Sequence, residues 1–212
     1  MRIFFLVFLI MCGPLFFACT PTVSAPVNEP PKVSLDENHA DWGVERLNWS
    51  AATFLAIDAH GGALLTKKPG DWAKWCAKDW SQLSREDKAE FYVGLISSLA
   101  RFESSFNPKA TYKENFRDGH GDFVISRGLL QISKESANLY GCGIEKAEEL
   151  HDPSTNLTCG VRILSRWVER DGVIQGGGTG AWRGAARYWS PFRKADRIAK
   201  MAAFTKGRKV CQ

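Results

Sequence analysis

The sequence has no clustered run of Lys and Arg of the kind that follows a phosphate backbone, so no nucleic-acid partner is expected. None of its cysteines stands in C-x-x-C or comparable zinc spacing, and no thiolate metal site is expected. No internal repeat recurs, and strands do not alternate with helices, which argues against solenoids and parallel α/β sheets. No apolar stretch reaches the roughly 20 residues that a spanning helix needs. The longest, residues 3–19, has 17 residues and is interrupted by Gly13 and Pro14. With 44% apolar and 24% charged residues, the composition is neither collagen-like, disordered nor that of a multi-span membrane protein.

What is present begins with an export signal. Arg2 precedes the apolar run, and the pair reads as a signal peptide over residues 1–18. The small residue Ala18 directly before Cys19 resembles a bacterial lipobox, with Phe16 where leucine is usual. That resemblance implies lipidation of Cys19 and a periplasmic protein anchored to the outer membrane. Pro21, Pro26, Pro30 and Pro31 then make residues 19–35 an extended tether. Four cysteines follow: Cys76, Cys142, Cys159 and Cys211. An even number in an exported chain argues for two disulfides. Three pairings are possible, and Cys142–Cys159 with Cys76–Cys211 is preferred because the second would tie down the C-terminus.

The rest of the 212-residue chain reads as one mostly helical body, α+β in class with a small β-hairpin. Apolar spacing predicts a helix over 44–60, stopped by Gly61 and Gly62. Asp71 is expected to cap a short helix bearing Trp72, Trp75 and Trp80. These three of the eight tryptophans are read as core rather than as a platform for flat substrates. Ser84 opens a helix to about residue 104, with Phe91, Leu95, Leu99 and Phe102 on one face and Asn107-Pro108 ending it. Residues 112–122 read as a polar, glycine-bearing loop. Phe123-Val124-Ile125 is a strand whose partner is expected near residues 110–112. Ser133 is expected to cap a helix to about Tyr140, and Asp152-Pro153 to start one that ends at Gly172. Gly160 inside that helix costs about 1 kcal/mol against Ala, which suggests the close approach of another helix. Residues 176–178 read as a flexible glycine loop, followed by helices over 181–188 and 192–204.

Four short motifs occur in order along this body: Glu103-Ser104-Ser105-Phe106-Asn107-Pro108, Gly128-Leu129-Leu130-Gln131-Ile132, Asp152-Pro153 with Asn156, Gly160 and Leu164, and Ala186-Arg187-Tyr188-Trp189. Together they resemble the catalytic domain of lytic transglycosylases of the soluble type, which have a lysozyme-like fold. The resemblance covers about residues 84–200, placing the catalytic domain at 84–212 and leaving 36–83 as a helical extension packed on it. It implies cleavage of peptidoglycan glycan strands at the β-1,4 bond after N-acetylmuramic acid, with closure of a 1,6-anhydro ring and no cofactor or metal. A monomer is expected.

In that reading Glu103 is the single acid, then base. A carboxylic acid serves at neutral pH only where its surroundings disfavour the charge, and Phe102, Phe106 and Leu129 are at hand to exclude water from it. By resemblance Ser104, Gln131 and Tyr188 contact substrate or orient the acid, while Asn156, Gly160 and Leu164 are structural. Trp189 stands where the family usually has Asn after the tyrosine, and stacking on a sugar ring is its expected role. A second reading is a hydrolase resembling goose-type lysozymes, in which Asp118 or Asp122 positions a water opposite Glu103. A third is a wall-binding protein without activity.

Overall fold

A computed structural model describes residues 40–177 and 180–212. The expected signal peptide, the lipidated Cys19, the tether and the first residues of the helical extension lie outside the described residues, as does Gly178. Helix α1, Leu47–His60, ends at Gly61, whose N–H bonds the Ile57 carbonyl at 2.7 Å. A short α2, Gly62–Thr66, follows. Helix α3, Arg85–Ser104, begins at a reciprocal cap: Ser84 Oγ accepts from the Asp87 N–H, and Asp87 accepts from the Ser84 N–H, both at 3.0 Å. Such caps stabilise a helix by about 1 kcal/mol.

The spacing of Phe91, Leu95, Leu99 and Phe102 predicts one buried face for α3. Instead every residue from Phe91 to Ala100 is buried. Helices α1, α2 and α6 (Ala195–Lys206) surround it, which makes it the axis of the molecule. Its small residues allow this. Gly94 leaves the notch filled by the Arg208 side chain, and Ser97 Oγ accepts from the Asp41 N–H at 2.8 Å.

Helix α5, Pro153–Asp171, starts and stops where expected, with Asp152 accepting from the Thr155 N–H at 2.8 Å and Gly172 closing at φ +67°. It packs along α1 and α2. A single apolar core runs from Trp42 through Trp72, Phe91 and Leu164 to Val210, so residues 40–83 and the segment carrying the four motifs share one interior. Trp72, Trp75 and Trp80 are all buried in it. Disulfides join Cys76 to Cys211 and Cys142 to Cys159.

Three local expectations are corrected. Asp71 does not cap the turn at Trp72–Lys74; its carboxylate accepts from Trp75 Nε1 (2.8 Å) and from the Ile174 and Gln175 amides (2.7 and 2.9 Å). Three donors, two of them a hundred residues away, outcompete one local amide. No helix forms over 181–188. Strand β3, Gln175–Gly176, pairs with β4, Arg183–Gly184, and a 3-10 turn, Ala185–Arg187, follows. Gly184 has φ +58° with the Ile174 carbonyl where a Cβ would stand, a conformation no helix contains. Gly160 is crowded by the Leu130 side chain, not by another helix.

The hairpin is longer than expected. Strand β1, Thr111–Arg117, pairs antiparallel with β2, Phe123–Arg127, in the register Tyr112 opposite Ser126, with an irregularity between Lys113 and Arg117. Helix α4, Lys134–Leu139, capped by Ser133, follows it.

Candidate active site

Glu103 lies in the last turn of α3, where the chain must leave the molecular axis abruptly. Ser105 and Phe106 accomplish this with φ +52° and +63°, left-handed values that cost non-glycine residues about 1–3 kcal/mol each. The Ser105 N–H closes the helix on the Ala100 and Arg101 carbonyls. The Glu103 side chain then faces a cleft of about 710 Å³, bounded on one side by β1 and β2 and on the other by the segment through Tyr188 and Arg193.

The loop from Gly128 to Gln131 brings Gln131 to the lining of the cleft. Gly128 adopts φ +74°, and a Cβ there would overlap the Leu150 carbonyl and the Asn156 amide. Asn156, fully buried on α5, clamps the loop. Its Oδ1 accepts from the Leu130 N–H at 2.9 Å, and its Nδ2 donates to the Arg127 and Leu150 carbonyls at 3.0 and 2.9 Å. Gln131, also left-handed at φ +47°, reaches the cleft, with its Nε2 donating to the Gly128 carbonyl at 2.8 Å and the Ala110 carbonyl at 3.3 Å. Gly128→Ala is expected to lower stability by about 3 kcal/mol, from a left-handed alanine plus the overlap. Thermal melting of the variant checks it, and an unchanged Tm contradicts this account of the loop.

Electrostatics single out Glu103 further. Burial pushes its carboxyl from 4.5 up to about 7, the negative charge of Glu114 adds to this, and Arg197, Arg193 and Lys194 oppose it. Among the described residues no hydrogen bond reaches its carboxylate, and burial outweighs the three cations. With its pKa at about 7, such a carboxyl is able both to give and to take a proton near neutral pH. Tyr188 stands in the same cleft with its ring against Tyr140 and Trp189, at centroid distances of 6.0 and 4.9 Å. Burial is the main cause that pushes its hydroxyl up to about 12, and the nearby Glu103 charge also raises it, so Tyr188 stays a donor.

The other expected residues are placed differently. Ser104 Oγ donates to the Ala100 carbonyl at 3.2 Å, inside its own helix, and does not line the cleft. Trp189 borders the cleft but is only 2% exposed, and its Nε1 donates to the Leu130 carbonyl at 3.0 Å. It braces the Gly128–Gln131 loop from within and presents no open ring face for stacking. Asp118 and Asp122 sit at the exposed hairpin tip, outside the cleft lining. There Asp118 Oδ1 accepts from the His120 and Asp122 amides at 2.8 and 3.0 Å, because a tight turn needs an acceptor for its inward N–H groups.

The second carboxylate of the cleft is instead Glu114, which the reading of residues 112–122 as a loop missed. Tyr112, Glu114 and Phe116 alternate along β1 and all line the cleft, with Val124 and Ser126 from β2. Ser126 Oγ donates to Glu114 Oε1 at 2.7 Å and fixes it. Tyr112 and Phe116 are 61% and 55% exposed, so the open aromatic rings of this wall come from the hairpin. The alternation of Tyr112, Glu114 and Phe116 is a strand signal, but it does not tell which acidic residue of 114–122 reaches the cleft.

The family described as the transglycosylase SLT domain matches residues 82–179. No curated protein matches the chain. A solved structure of Bd0314 DslA, wild-type form 2, is similar over 84% of this chain and 100% of its own, with 42% identity and a TM-score of 0.78. Two glutamate-to-glutamine mutants of that protein match at 41% identity over the same shares, with TM-scores of 0.79 and 0.77.

Proposed function

Because the chain belongs to the transglycosylase SLT family, we propose that it is a peptidoglycan lytic transglycosylase in which Glu103 acts as acid and then as base. The observation that carries this reading is the half-buried Glu103 carboxyl, raised to about 7 where it lines a cleft of about 710 Å³. Glu103 protonates the bridging oxygen as the bond from C1 to that oxygen breaks, and the departing sugar leaves as an alcohol. The N-acetyl oxygen of the same ring shares the positive charge at C1, and Tyr188, which lines the same cleft, orients that group. The Glu103 carboxylate then takes the proton of the C6 hydroxyl, whose oxygen bonds to C1. The products sum to the substrate, and no water is consumed. The apolar leader and the Ala18-Cys19 pair support, as part of the same proposal, action in the periplasm from an outer-membrane anchor.

A second reading, hydrolysis, is favoured by one observation: Glu114 lies in the cleft with Glu103, held by Ser126. The two DslA mutants exchange glutamates eleven positions apart, the interval that also separates Glu103 from Glu114. In an inverting hydrolase Glu114 would take a proton from a water attacking C1 while Glu103 protonates the leaving oxygen. Mass spectrometry of digested wall with the wild type and Glu114→Gln separates the two. Transglycosylation predicts anhydro ends, lighter by one water, from both proteins. In the variant the high-pH limb moves to lower pH, because the Glu114 charge that raises the Glu103 pKa is gone. Reducing ends from the wild type, with activity lost in Glu114→Gln, establish hydrolysis instead.

A further inference from the structure

Two arginines tie the helix end that carries Glu103 to the turn that carries Tyr188. The chain leaves Tyr188 through the 3-10 turn Ser190–Arg193 and enters α6 at Ala195. Arg193 reaches back: its Nε donates to the Ala186 carbonyl at 2.7 Å, and its Nη2 to the Arg187 carbonyl at 3.0 Å. Both carbonyls belong to the turn that delivers Tyr188. Arg197, one helical turn further on, reaches the other way. Its Nη1 donates to the Phe102 carbonyl at 3.3 Å, and its guanidinium lies over the Phe102 ring at 5.3 Å. Phe102 directly precedes Glu103, and its carbonyl is one of the last four of α3, which lack a partner within the helix.

Arg193 also lines the cleft and lies over the Trp182 ring at 5.6 Å, so its planar group is fixed by two hydrogen bonds and an aromatic face. The stability of α6 does not call for these cations. Arg193, Lys194 and Arg197 crowd a helix N-terminus, where positive charge is unfavourable and only Asp196 in the first turn has the favoured sign. What they do act on is Glu103. Burial, the largest effect there, disfavours the Glu103 charge, and Glu114 from β1 adds to it. Arg197 from α6, Arg193 from the preceding turn and Lys194 between them favour the charge, in the order Arg197, Arg193, Lys194. Tyr188, beside them in the cleft, stays neutral, and Arg187 is engaged by Asp171.

We propose that Arg193 and Arg197 are positioning residues for the reaction: as one strap they hold Glu103 and Tyr188 at a fixed separation, and their charge steadies the Glu103 carboxylate between its two proton transfers. This rests on the reading of Glu103 as acid and then base. A carboxylate that forms only for one step gains from cations fixed beforehand, because no protein group has to reorganise as the proton leaves. Neither arginine gives or takes a proton; each acts through Glu103 and Tyr188. Exchanging arginine for lysine at position 193 separates alignment from charge. Lysine keeps the charge but lacks the planar fork that spans two carbonyls.

The test compares the full chain with Arg193→Lys, Arg193→Met and Arg197→Met, with glutamine replacing methionine wherever melting shows that a methionine variant does not fold. Two readouts are taken: turnover of peptidoglycan, split into kcat and KM at the pH optimum of each protein, and titration of the Glu103 carboxyl carbon by nuclear magnetic resonance. Arg193→Lys is expected to lower kcat about tenfold through lost alignment, with KM within about twofold, and to leave the titration in place. Arg193→Met and Arg197→Met lower kcat and also move the titration to higher pH, Arg197→Met further, because a charge that favours the carboxylate is gone. Wild-type kcat in Arg193→Lys, a loss confined to KM, or an unmoved titration in Arg197→Met overturns the inference. A wild type that releases no fragments from peptidoglycan removes the proposed activity instead. The titrations need no turnover and still decide whether the two arginines act on Glu103.

Discussion

Glu103→Gln is expected to lower turnover of peptidoglycan at pH 7 by a factor of about 10²–10⁴, the usual contribution of a positioned acid–base group. The amide keeps the shape and removes the proton that the leaving oxygen needs. In the wild type activity is expected to decline as pH rises through about 7, where Glu103 loses its proton. The same substitution is expected to stabilise the fold, and the sign follows from the direction of the shift. A carboxyl whose pKa is raised on folding binds its proton more tightly in the folded state. The folded protein is therefore penalised as pH rises from about 4.5 to about 7, by up to about 3 kcal/mol. Glutamine carries no such penalty. The variant should melt above the wild type at pH 8, and the gap should close at pH 4. Full activity in the variant removes Glu103 from the mechanism; a gap that does not change with pH shows that burial does not set its proton affinity.

Replacing Cys76 and Cys211 by serine is expected to be the costliest change to stability. The bond closes a loop with a sequence separation of 135, for which chain entropy gives about 5 kcal/mol, against about 3 kcal/mol for the 17-residue separation of Cys142 and Cys159. For a chain of this size that corresponds to a drop in Tm of roughly 10–20 °C. The structure shows what would be released. Lys78 N–H bonds the Cys211 carbonyl at 3.2 Å, and Thr205 Oγ1 donates to the Trp75 carbonyl at 2.7 Å. The tail also delivers the Arg208 side chain into the Gly94 notch of α3, the helix that ends in Glu103. Melting curves of the two double-serine variants check the order. A smaller loss for the 76–211 pair than for 142–159 contradicts it.

Elements whose signals are local were legible in the residues alone. Ser84, Ser133 and Asp152 each bond an amide three positions on, so their capping roles are written within one turn of chain. Asp71 looks the same in sequence yet binds residues 174 and 175, and nothing near it announces that. Segment 181–188 failed for a related reason: pairing of β4 with β3 and the left-handed Gly184 overrode a weak helical pattern.

The candidate acid, Glu103, was readable because it sits in an ordered set of motifs at a helix end. Its partner in the cleft was not, since three acidic residues crowd residues 114–122. Only strand register turns Glu114 inward and leaves Asp118 and Asp122 at the tip. The aromatic rings divide likewise. Composition counts eight tryptophans, but burial decides that Trp189 is a brace and that the exposed Tyr112 and Phe116 line the cleft. Short-range hydrogen bonds and apolar spacing specify helices, turns and a chemical type of residue. Desolvation, charge–charge coupling and exposure depend on parts of the chain a hundred residues apart coming together, and these are what lift one carboxyl to a working proton affinity.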